Sequence, residues 1–532
     1  MQIRQIAVPA ARSFREQASS MTETGANAYD AVAYPAHAFS QTHPARLATI
    51  AHAHGMRPPP LAGMRVLELG CGRGANLIPM AGQYPAGHFV GVDLSLRAIE
   101  AARSSAAELG LGHIHFEHLD IMAVTPALGE FDYIIAHGVY SWVPAPVRDS
   151  MLAIFGSLLS AQGVAYVSYN ALPGCRIRDI ARDVMLFETR DVEDPEERVR
   201  RARLALKRFA DAADPDSFHG AALRMRQSQV EEIPDDVLYH DDLNPQARAF
   251  ALHEVLEDAR RHGLQFLAES AFPNQFGAAR EPAQQLLAQI PIDDRLAREQ
   301  ALDLVIGRFF RETLLCRADI LLRPGSEALS LKHYHLSADV RRAAGDPDAR
   351  PGVEQFSFGA VQLAIDLPIA KAALARLEAA WPGSIAHDVL ARQSASDIGL
   401  DGSPDLAREL GRLDDALMAI FRAGLLDIQL EPLKLTTTLG ERPVASALAR
   451  VQARTTQQVT NLRHRTVVLD DIVARKFLCV LDGSRDQVQL LDEMNVFLAQ
   501  TRTATEGLPE RATAQDIQMR LRDVARLALL SG

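Results

Sequence analysis

Residues 64–94, MRVLELGCGRGANLIPMAGQYPAGHFVGVDL, carry the strongest indication of the fold. Apolar residues at 66–69 predict a short buried strand, and the glycines after it predict a tight turn into a helix that starts at 75–81. A second apolar run at 88–92 predicts another strand, which ends at Asp93. The order strand, turn, helix, strand is typical of a βαβ unit in a parallel sheet.

The same alternation continues toward the carboxyl end. Apolar runs at 114–117, 131–136 and 164–169 predict three more strands, separated by amphipathic helices. After a helical insertion, the runs at 264–268 and 309–316 predict two further strands. The sequence therefore predicts an α/β fold with a seven-stranded, doubly wound, Rossmann-like sheet, followed by mainly helical domains.

Composition and periodicity divide the chain into six predicted regions. In order, they are a tail with a lid over the ligand (1–45), the ligand-binding core (46–189), a helical insertion (190–250), the remainder of the sheet (251–325), a middle domain (335–435) and a C-terminal domain (436–532). Residues 326–355 contain Gly, Pro and Asp and predict a linker. Residues 365–430 predict two helices and a strand, and both later domains are interpreted as small helical or winged-helix units.

Charge and cysteine usage exclude several classes of protein. The 532 residues include 67 acidic and 56 basic ones, a net charge of −11, which argues against nucleic acid as a partner. No C-x-x-C pair occurs among Cys71, Cys175, Cys316 and Cys479, so neither a zinc site nor a disulfide framework is predicted. No apolar run reaches the roughly 20 residues that cross a membrane. Residues 1–20 lack the apolar core of a signal peptide, so the protein is predicted to be cytoplasmic.

Three acidic residues accompany the glycine loop. Glu68 precedes Gly70 by two positions, Asp93 ends the second predicted strand, and Asp120 follows the third. Because the carboxyl ends of parallel strands meet at one edge of a sheet, these carboxylates are expected to line one ligand site. A carboxylate at Asp93 can bind both hydroxyls of a ribose, and one at Asp120 can accept a hydrogen bond from an adenine amino group.

The loop and its acids favour one class of cofactor. The pattern E-x-G-x-G-x-G from Glu68 to Gly74, with two acids downstream, is that of class I S-adenosylmethionine methyltransferases. The alternative is a nicotinamide or nucleotide enzyme with a similar loop. An acidic rim disfavours that alternative because it would repel a pyrophosphate, whereas S-adenosyl-L-methionine carries no phosphate.

Further stretches resemble one bacterial family that couples a methyltransferase domain to a methyltransferase regulatory domain. They are YDAVAYPAHAFSQTHP (29–44), LELGCGRGANLIPMA (67–81), HGVYSWVP (137–144), YNALPG (169–174), FRETLL (310–315), NLRHRTVV (461–468) and LCVLDGSRD (478–486). This family includes the rickettsial protein-lysine methyltransferases that modify outer membrane protein B. The resemblance covers residues 27–532 and is most specific in the first 175 residues.

The resemblance implies methylation of lysine side chains in a protein or peptide substrate held in an open cleft. That substrate includes, as one option, an outer membrane protein before export. Neither nucleic acid nor membrane insertion is expected, and a homodimer is left open. Two alternatives remain at this point: methylation of a small metabolite or ribosomal peptide product, and a non-catalytic protein that senses the cofactor and binds a partner through its C-terminal domains.

The acceptor is expected at the carboxyl ends of the fourth and fifth strands, where the methyl group should point. His137 is predicted to order the methionine part of the cofactor or to act as a base. Tyr140 and Trp142 are predicted to wall a lysine channel, with a packed structural role as the alternative for Trp142. Asn170 is predicted to accept a hydrogen bond from the acceptor amine, and His240 to contribute to the same pocket from the insertion.

The remaining predicted cofactor contacts come from the lid and from the sheet edge. They are Tyr34, Phe39, Thr42, His43, Gly72, Asn76, Leu94 and Ile121, together with the loop, the acids and His137 named above. Tyr34 and Phe39 are also compatible with anchoring the lid to the core. No metal is predicted, because the consecutive residues 239–242 (YHDD) point in different directions. His464 and Asp482 are interpreted as isolated structural residues.

Overall fold

One seven-stranded sheet organises the first part of the chain. The computed structural model describes residue 32 and residues 37–271, 281–323, 329–343, 352–433, 435–436, 439–501 and 508–531. The strands are β1 (Arg65–Leu69), β2 (His88–Asp93), β3 (Ile114–His118), β4 (Phe131–Ala136), β5 (Leu159–Asn170), β6 (Leu264–Glu269) and β7 (Phe310–Arg317). They lie in the order β3-β2-β1-β4-β5-β7-β6.

Strands β1 to β5 run parallel, and β7 runs antiparallel to both of its neighbours. Asn170 at the end of β5 therefore pairs with Phe310 at the start of β7. This reversal brings the amino end of β7 to the edge formed by the carboxyl ends of the parallel strands. The predicted strands agree with the structure to within one residue, except that β5 begins at Leu159, because the polar segment 160–163 concealed its extended start.

Helices cover both faces of the sheet. They are α1 (Pro44–Ala53), α2 (Leu77–Gln83), α3 (Leu96–Glu108) and α4 (Ala145–Leu158), then the insertion helices α5 (Cys175–Thr189), α6 (Pro195–Ala212) and α7 (Phe218–Glu232), then α8 (Leu252–Arg261), α9 (Glu281–Ala288) and α10 (Arg295–Ile306). Ser95 caps α3, since its Oγ accepts from Ala98 N at 3.1 Å. This cap begins α3 directly after β2 and so fixes the chain around Asp93.

The insertion packs around a core of its own, which includes Met185, Val199, Leu206 and Leu223. Asp194 caps α6 by accepting from Glu197 N at 2.8 Å. The insertion ends in a short turn (Asp235–Val237) and a π-helical segment (Leu238–Asp242). In that segment His240, which the sequence predicts to contribute to the pocket of the methyl acceptor, is buried.

The prediction of a linker over 326–355 is wrong for much of its described part. Residues 329–343 carry β8 (His335–Ser337) and β9 (Arg341–Arg342), and β10 (Glu354–Phe358) begins before 355. The other elements of this middle region are β11 (Val361–Ile365), α11 (Pro368–Ala380), β12 (Ile385–Ala386), α12 (His387–Asp397), α13 (Leu406–Arg422) and β13 (Asp427–Gln429). Three helices therefore precede β13 instead of the two predicted. These short strands pair with partners far along the chain, which local composition does not reveal.

The middle region shares one buried core with the sheet. Val66 of β1, Leu336 of β8, Leu374 of α11 and Phe421 of α13 belong to the same hydrophobic cluster. The C-terminal region instead has a separate core formed by α14 (Ala447–Thr455), the hairpin β14 (Gln458–Thr460) and β15 (Thr466–Val468), α15 (Ile472–Val480), α16 (Gln487–Thr501) and α17 (Ala514–Arg526). Among the described helices, none has the length and apolar character that would let it span a membrane.

Candidate active site

The glycine loop between β1 and α2 has an open face. Gly70, Gly72 and Gly74 have φ values of 73°, 51° and 73°, which favour glycine. A Cβ on Gly70 would lie 2.5 Å from Val139 and one on Gly74 would lie 2.7 Å from Phe116, whereas one on Gly72 would meet nothing within 4 Å. The loop is thus packed on both sides and leaves open space at its centre, as a ligand approaching the backbone requires.

Asp93 is held in place by the loop that it faces. Its Oδ2 accepts from Gly72 N and its Oδ1 accepts from Ser95 N, both at 2.8 Å. These bonds fix the carboxylate at the end of β2, beside the open centre of the loop. The predicted proximity of Asp93 to the glycine loop therefore agrees with the geometry, and its contact with a ribose stays a prediction.

Glu68 is a buried carboxyl group with one unused oxygen. Its Oε1 accepts from Asn76 Nδ2 at 2.7 Å, while Oε2 has no hydrogen-bond partner among the described residues. Burial raises the pKa of Glu68 to about 8, with a smaller contribution from Asp93, while the bond from Asn76 opposes the rise. A buried acceptor without a donor is costly, so this site suits a ligand that brings a donor or a positive charge.

The residues that follow β2 and β3 form a second part of the sheet edge at which the carboxyl ends of the parallel strands meet. Asp120 accepts from Met122 N at 2.8 Å and so caps the turn Ile121–Ala123, while its side chain remains exposed. Leu94 is 56% exposed. An apolar side chain on the surface beside Asp93 and Asp120 offers a face on which a flat ring can lie, and this fits the predicted roles of Leu94, Asp120 and Ile121.

Asn76 connects the loop to two distant parts of the chain. Its Oδ1 accepts from Phe39 N at 3.0 Å, and its Nδ2 donates to Thr42 Oγ1 at 3.0 Å as well as to Glu68. His464 Nε2 lies 2.8 Å from the same Oδ1. The segment that contains Phe39 and Thr42 is therefore fastened to the loop, whereas Tyr34 lies outside the described residues.

His43 begins α1 beside this segment. Its Nδ1 accepts from Ala45 N at 3.2 Å, and burial lowers the pKa of His43 to about 4. Its ring centroid lies 5.0 Å from that of His464. His43 thus caps a helix and contacts the C-terminal region, and its predicted contact with the cofactor stays a prediction.

His137 stands at the end of β4 in a small polar and aromatic cluster. Its Nδ1 lies 3.0 Å from the Tyr166 hydroxyl and 3.1 Å from Ser168 Oγ, and its ring lies 4.0 Å from that of Phe39. Burial lowers the pKa of His137 to about 4, so the ring is neutral at neutral pH. A neutral imidazole with so low a pKa is a weak base, which favours the predicted ordering role over the catalytic one.

Strand β7 adds a carboxylate that sequence reasoning missed. Glu312 pairs in register with Ser168, two residues after Phe310, whose ring lies 6.1 Å from that of His137. Burial raises the pKa of Glu312 to about 6, helped by Glu269 and opposed by Arg46, Gln41 and Tyr166. Its presence within FRETLL was a usable signal, but only the antiparallel placement of β7 brings it to this edge.

The position of Tyr140 competes with its predicted role as a wall of an acceptor channel. Its side chain is fully buried in the core, packs against Tyr169 and Phe250, and its hydroxyl donates to Asp258 at 3.5 Å. The reason is the turn Tyr140–Trp142, which rotates this side chain toward α8. Trp142 is half-buried, and its Nε1 has no hydrogen-bond partner among the described residues, so its functional and structural interpretations both stand.

Asn170 and His240 both make contacts that compete with their predicted roles. Asn170 Oδ1 accepts a long hydrogen bond from Arg178 at 3.5 Å, and Arg178 in turn pairs with Asp242 at 2.7 Å. His240 Nε2 lies 2.8 Å from the carbonyl oxygen of Val32. These contacts join the insertion to the end of β5 and to the N-terminal segment, and both acceptor roles stay predictions.

Across the described ranges, no group of three or more His, Cys, Asp or Glu side chains is arranged to hold a metal ion.

Comparison with known proteins identifies the family. A model described as "Methyltransferase domain" matches residues 60–194, one described as "Predicted methyltransferase regulatory domain" matches 234–317, and one described as "PKMT, C-terminal winged helix domain" matches 441–529. An uncharacterized protein of Rickettsia prowazekii is 30% identical over 88% of this chain and 85% of its own length. The chain belongs to the class I methyltransferases with a regulatory domain. The family resemblance read from the sequence is thus confirmed.

Solved structures agree with this assignment of the methyltransferase. PKMT2 from Rickettsia typhi superposes with a TM-score of 0.83 at 26% identity, over 94% of this chain and 100% of that one. The same protein in complex with AdoHcy superposes with a TM-score of 0.81 at 25% identity, over the same shares of the two chains. The predicted seven-stranded Rossmann-like sheet and the winged-helix-like C-terminal region are confirmed.

The cofactor of this class is S-adenosylmethionine, and the described residues suit it. The unused Oε2 of Glu68 can accept from the α-ammonium group, and the open face at Gly72 admits the ligand against the backbone. The contacts of Asp93 with the ribose hydroxyls, and of Leu94, Ile121 and Asp120 with the adenine, stay predictions. In this predicted arrangement each side chain suits its part of the cofactor in charge or polarity, whereas an acidic rim would repel a phosphate.

Proposed function

We propose that this methyltransferase transfers methyl groups to lysine side chains of a protein substrate. The observation that carries the proposal is the half-buried carboxylate of Glu312, which pairs with Ser168 at the same edge of the sheet as His137, whose ring in turn lies against those of Phe39 and Phe310. A carboxylate and aromatic rings together bind an ammonium group, which neither a hydroxyl nor a carbon acid requires. The name PKMT carried by the winged-helix family and by the matched Rickettsia typhi structures supports the same acceptor class.

The chain's own residues have two tasks in this reaction. When bound, S-adenosylmethionine supplies an electrophilic methyl group on a sulfonium. Glu312 pairs with the incoming ammonium, whose ordinary pKa is about 10.4, and accepts the proton that the amine must lose before it can attack. Phe39, Phe310 and neutral His137 exclude water around the acceptor and hold it in line, which is the main contribution that a displacement of this kind needs.

The family and the size of the protein both support a protein substrate. A resemblance to enzymes that modify outer membrane protein B makes an outer membrane protein before export the first substrate to test, and methylation in the cytoplasm is part of this proposal. The net charge of −11 favours a lysine-bearing, basic segment over an acidic one. The middle and C-terminal regions add surface that a small metabolite would not require.

The test uses purified full-length protein, S-adenosylmethionine labelled on the methyl group, and unfolded outer membrane proteins from a bacterial extract. Label on lysine side chains, located by mass spectrometry, is the expected result. Glu312→Gln should reduce it at least tenfold, since the ammonium loses its charged partner, while exposed Glu232→Gln should leave it unchanged. Label confined to small molecules, or to side chains other than lysine, would refute the proposal.

A further inference from the structure

The C-terminal hairpin reaches into the cofactor loop through its turn. Residues 461–465 (NLRHR) connect β14 and β15, and Asn461 organises them by accepting from Arg463 N at 3.0 Å and from Arg465 N at 2.9 Å. His464, at the tip, has a φ of 56°, a backbone conformation that is disfavoured for residues with a Cβ. The sequence interpretation of His464 as an isolated residue is therefore wrong, because it contacts Asn76, 388 positions away.

The hydrogen-bond network fixes the orientation of both side chains. The Phe39 amide can only donate, so the atom of Asn76 that it contacts at 3.0 Å must be the carbonyl oxygen. The imidazole of His464, 2.8 Å from the same oxygen, must donate to it from Nε2. The His464 side chain is 1% exposed and burial lowers its pKa well below the ordinary value, so the ring is neutral with its proton on Nε2.

Asn76 links the hydrogen bond from His464 to the orientation of Glu68 in the cofactor site. With its oxygen held by His464 and Phe39, its amide nitrogen is aimed at Glu68 Oε1 at 2.7 Å. Glu68 then presents its other oxygen, which has no partner among the described residues, toward the open side of the loop. Loss of the bond from His464 would remove one of the donors that hold the Asn76 oxygen, beside Phe39 N at 3.0 Å, and so would loosen the orientation of the amide and of Glu68.

Arg463, the residue before His464 in the same turn, binds the middle region. Arg463 donates to Asp427 at 2.8 Å, to Ser337 at 3.1 Å and to the Pro382 carbonyl at 2.7 Å, and its guanidinium lies 4.4 Å from the centre of the Trp381 ring. Its side chain is 4% exposed. One five-residue turn thus joins the C-terminal domain to the middle region and to the cofactor loop at once.

We propose that His464 is a positioning residue of the cofactor site, so that docking of the C-terminal domain through the turn 461–465 sets the affinity for the cofactor. This inference does not depend on the identity of the methyl acceptor. The same contact gives the C-terminal domain a route by which a bound substrate can alter cofactor affinity. By linkage, the cofactor must then stabilise the docked turn to the same extent.

The experiment compares full-length variants by calorimetric titration with S-adenosylhomocysteine, alongside their melting temperatures without ligand. His464→Gly removes the imidazole and also relieves the positive φ, so backbone strain cannot explain its effect. We expect affinity to fall about tenfold, the effect of losing one buried hydrogen bond. His464→Gln keeps an amide donor and should recover most of the affinity.

Ala528→Gly is the matched control, since Ala528 is the other described residue with a Cβ and a positive φ, in the same domain. Its affinity should equal that of the unaltered protein. The proposal is overturned if His464→Gly binds within twofold of the unaltered protein, or if His464→Gln binds as weakly as His464→Gly. A purely structural role would lower the melting temperature without moving the affinity.

Hydrogen exchange on the unaltered protein supplies a second test that needs no variant to fold. The amides of residues 461–465 should exchange more slowly when S-adenosylhomocysteine is bound, because coupling acts in both directions. The amides of α6 in the insertion serve as the internal reference. Unchanged exchange at the turn under saturating ligand would overturn the proposal.

Discussion

At the scale of single residues, burial sets the charge of the groups around the cofactor loop. Glu68 has a pKa raised to about 8 and Glu312 one raised to about 6, while His137 has a pKa lowered to about 4. At neutral pH Glu68 is therefore mostly protonated, Glu312 is mostly ionised and His137 is neutral. Beside the cofactor loop, Glu68 therefore adds little negative charge to that of Asp93, while Glu312 keeps the charge that the proposed acceptor role requires.

Cofactor binding should release a proton from Glu68. A cation placed at its Oε2 lowers the pKa of Glu68 from about 8, so about one proton is released per ligand bound near pH 7. Calorimetric titration with S-adenosylhomocysteine in buffers of different ionisation enthalpy measures this number. Glu68→Gln should bind more weakly and release none. Equal proton release by the variant and the unaltered protein would contradict the assignment.

Glu312 should set the acidic limit of activity. Below its pKa of about 6 the carboxyl group is protonated and cannot hold an ammonium, so kcat/KM should fall as the pH drops through that value. Its effect on folding has the opposite sign: because the folded-state pKa is raised, its contribution to stability is complete below about pH 4.5 and is lost as the pH rises through about 6.

Glu312→Gln should therefore show two changes together. The limb of the pH–rate profile near 6 should disappear, and the free energy of unfolding at pH 7.5 should rise by about 1 kcal/mol at most, because a half-buried carboxylate whose ionisation is disfavoured in the folded protein is removed. Rate profiles and urea unfolding at pH 4.5 and 7.5 measure both quantities. A variant that keeps the same limb, or that loses stability at pH 7.5, would argue against an ionised Glu312 in the pocket.

At the scale of elements, a buried ion network holds the reversed end of the sheet. Arg311 of β7 pairs with Glu269 of β6, with Asp303 at 2.8 Å and with Glu299 at 3.1 Å, both on α10, and its side chain is fully buried. A buried guanidinium with three carboxylates ties two strands and a helix together where β7 must run against its neighbours. This placement is what brings Phe310 and Glu312 to the active-site edge.

Arg311→Ala should unfold this end of the sheet. Three carboxylates would lose their shared counter-charge, and removal of one partner from a buried ion pair costs about 3–5 kcal/mol. Urea unfolding followed by circular dichroism measures the loss. Arg317→Ala, on the same strand but 39% exposed and 3.7 Å from Asp319, should cost less than about 1 kcal/mol. Equal losses of unfolding free energy for the two variants would show that the buried network adds no more stability than the exposed ion pair of Arg317.

At the scale of the whole molecule, three regions meet at the turn 461–465. The sheet and the middle region share one hydrophobic core, whereas the C-terminal region has a separate one. Its attachment includes polar contacts, of which those of Arg463 are buried, and Leu448 of α14 also packs against the shared core. A domain with its own core and a polar interface is free to respond to a bound substrate.

Arg463→Ala should separate the unfolding of the C-terminal region from that of the rest. Loss of its buried hydrogen bonds should cost about 1–3 kcal/mol of interface stability, and a lower-temperature transition should appear in differential scanning calorimetry. Arg454→Ala is the matched control, because Arg454 crosses to Glu108 at 3.1 Å but is 57% exposed. The control should keep the unaltered transition. A single, unshifted transition in Arg463→Ala would refute the importance of this contact.

The parallel strands, the glycine loop and the ligand-facing acids are all predictable from the amino-acid sequence. Each of these depends on local spacing: strands separated by one helix must present their carboxyl ends at one edge, so spacing alone assigns Glu68, Asp93 and Asp120 to one site. The family motifs add the cofactor and the regulatory and winged-helix regions. The caps at Ser95 and Asp194 are likewise predictable, because capping depends on neighbours three residues away.

Which side chains lie together at the active-site edge depends on the tertiary structure. Glu312 comes beside Ser168 because β7 runs antiparallel to β5, and His464 comes to Asn76 because a distant hairpin docks on the loop. Tyr140 turns away because a single turn after β4 directs it into the core, a rotation that strand order does not specify. Contacts between residues hundreds of positions apart depend on packing over the whole chain, and local periodicity carries no record of them.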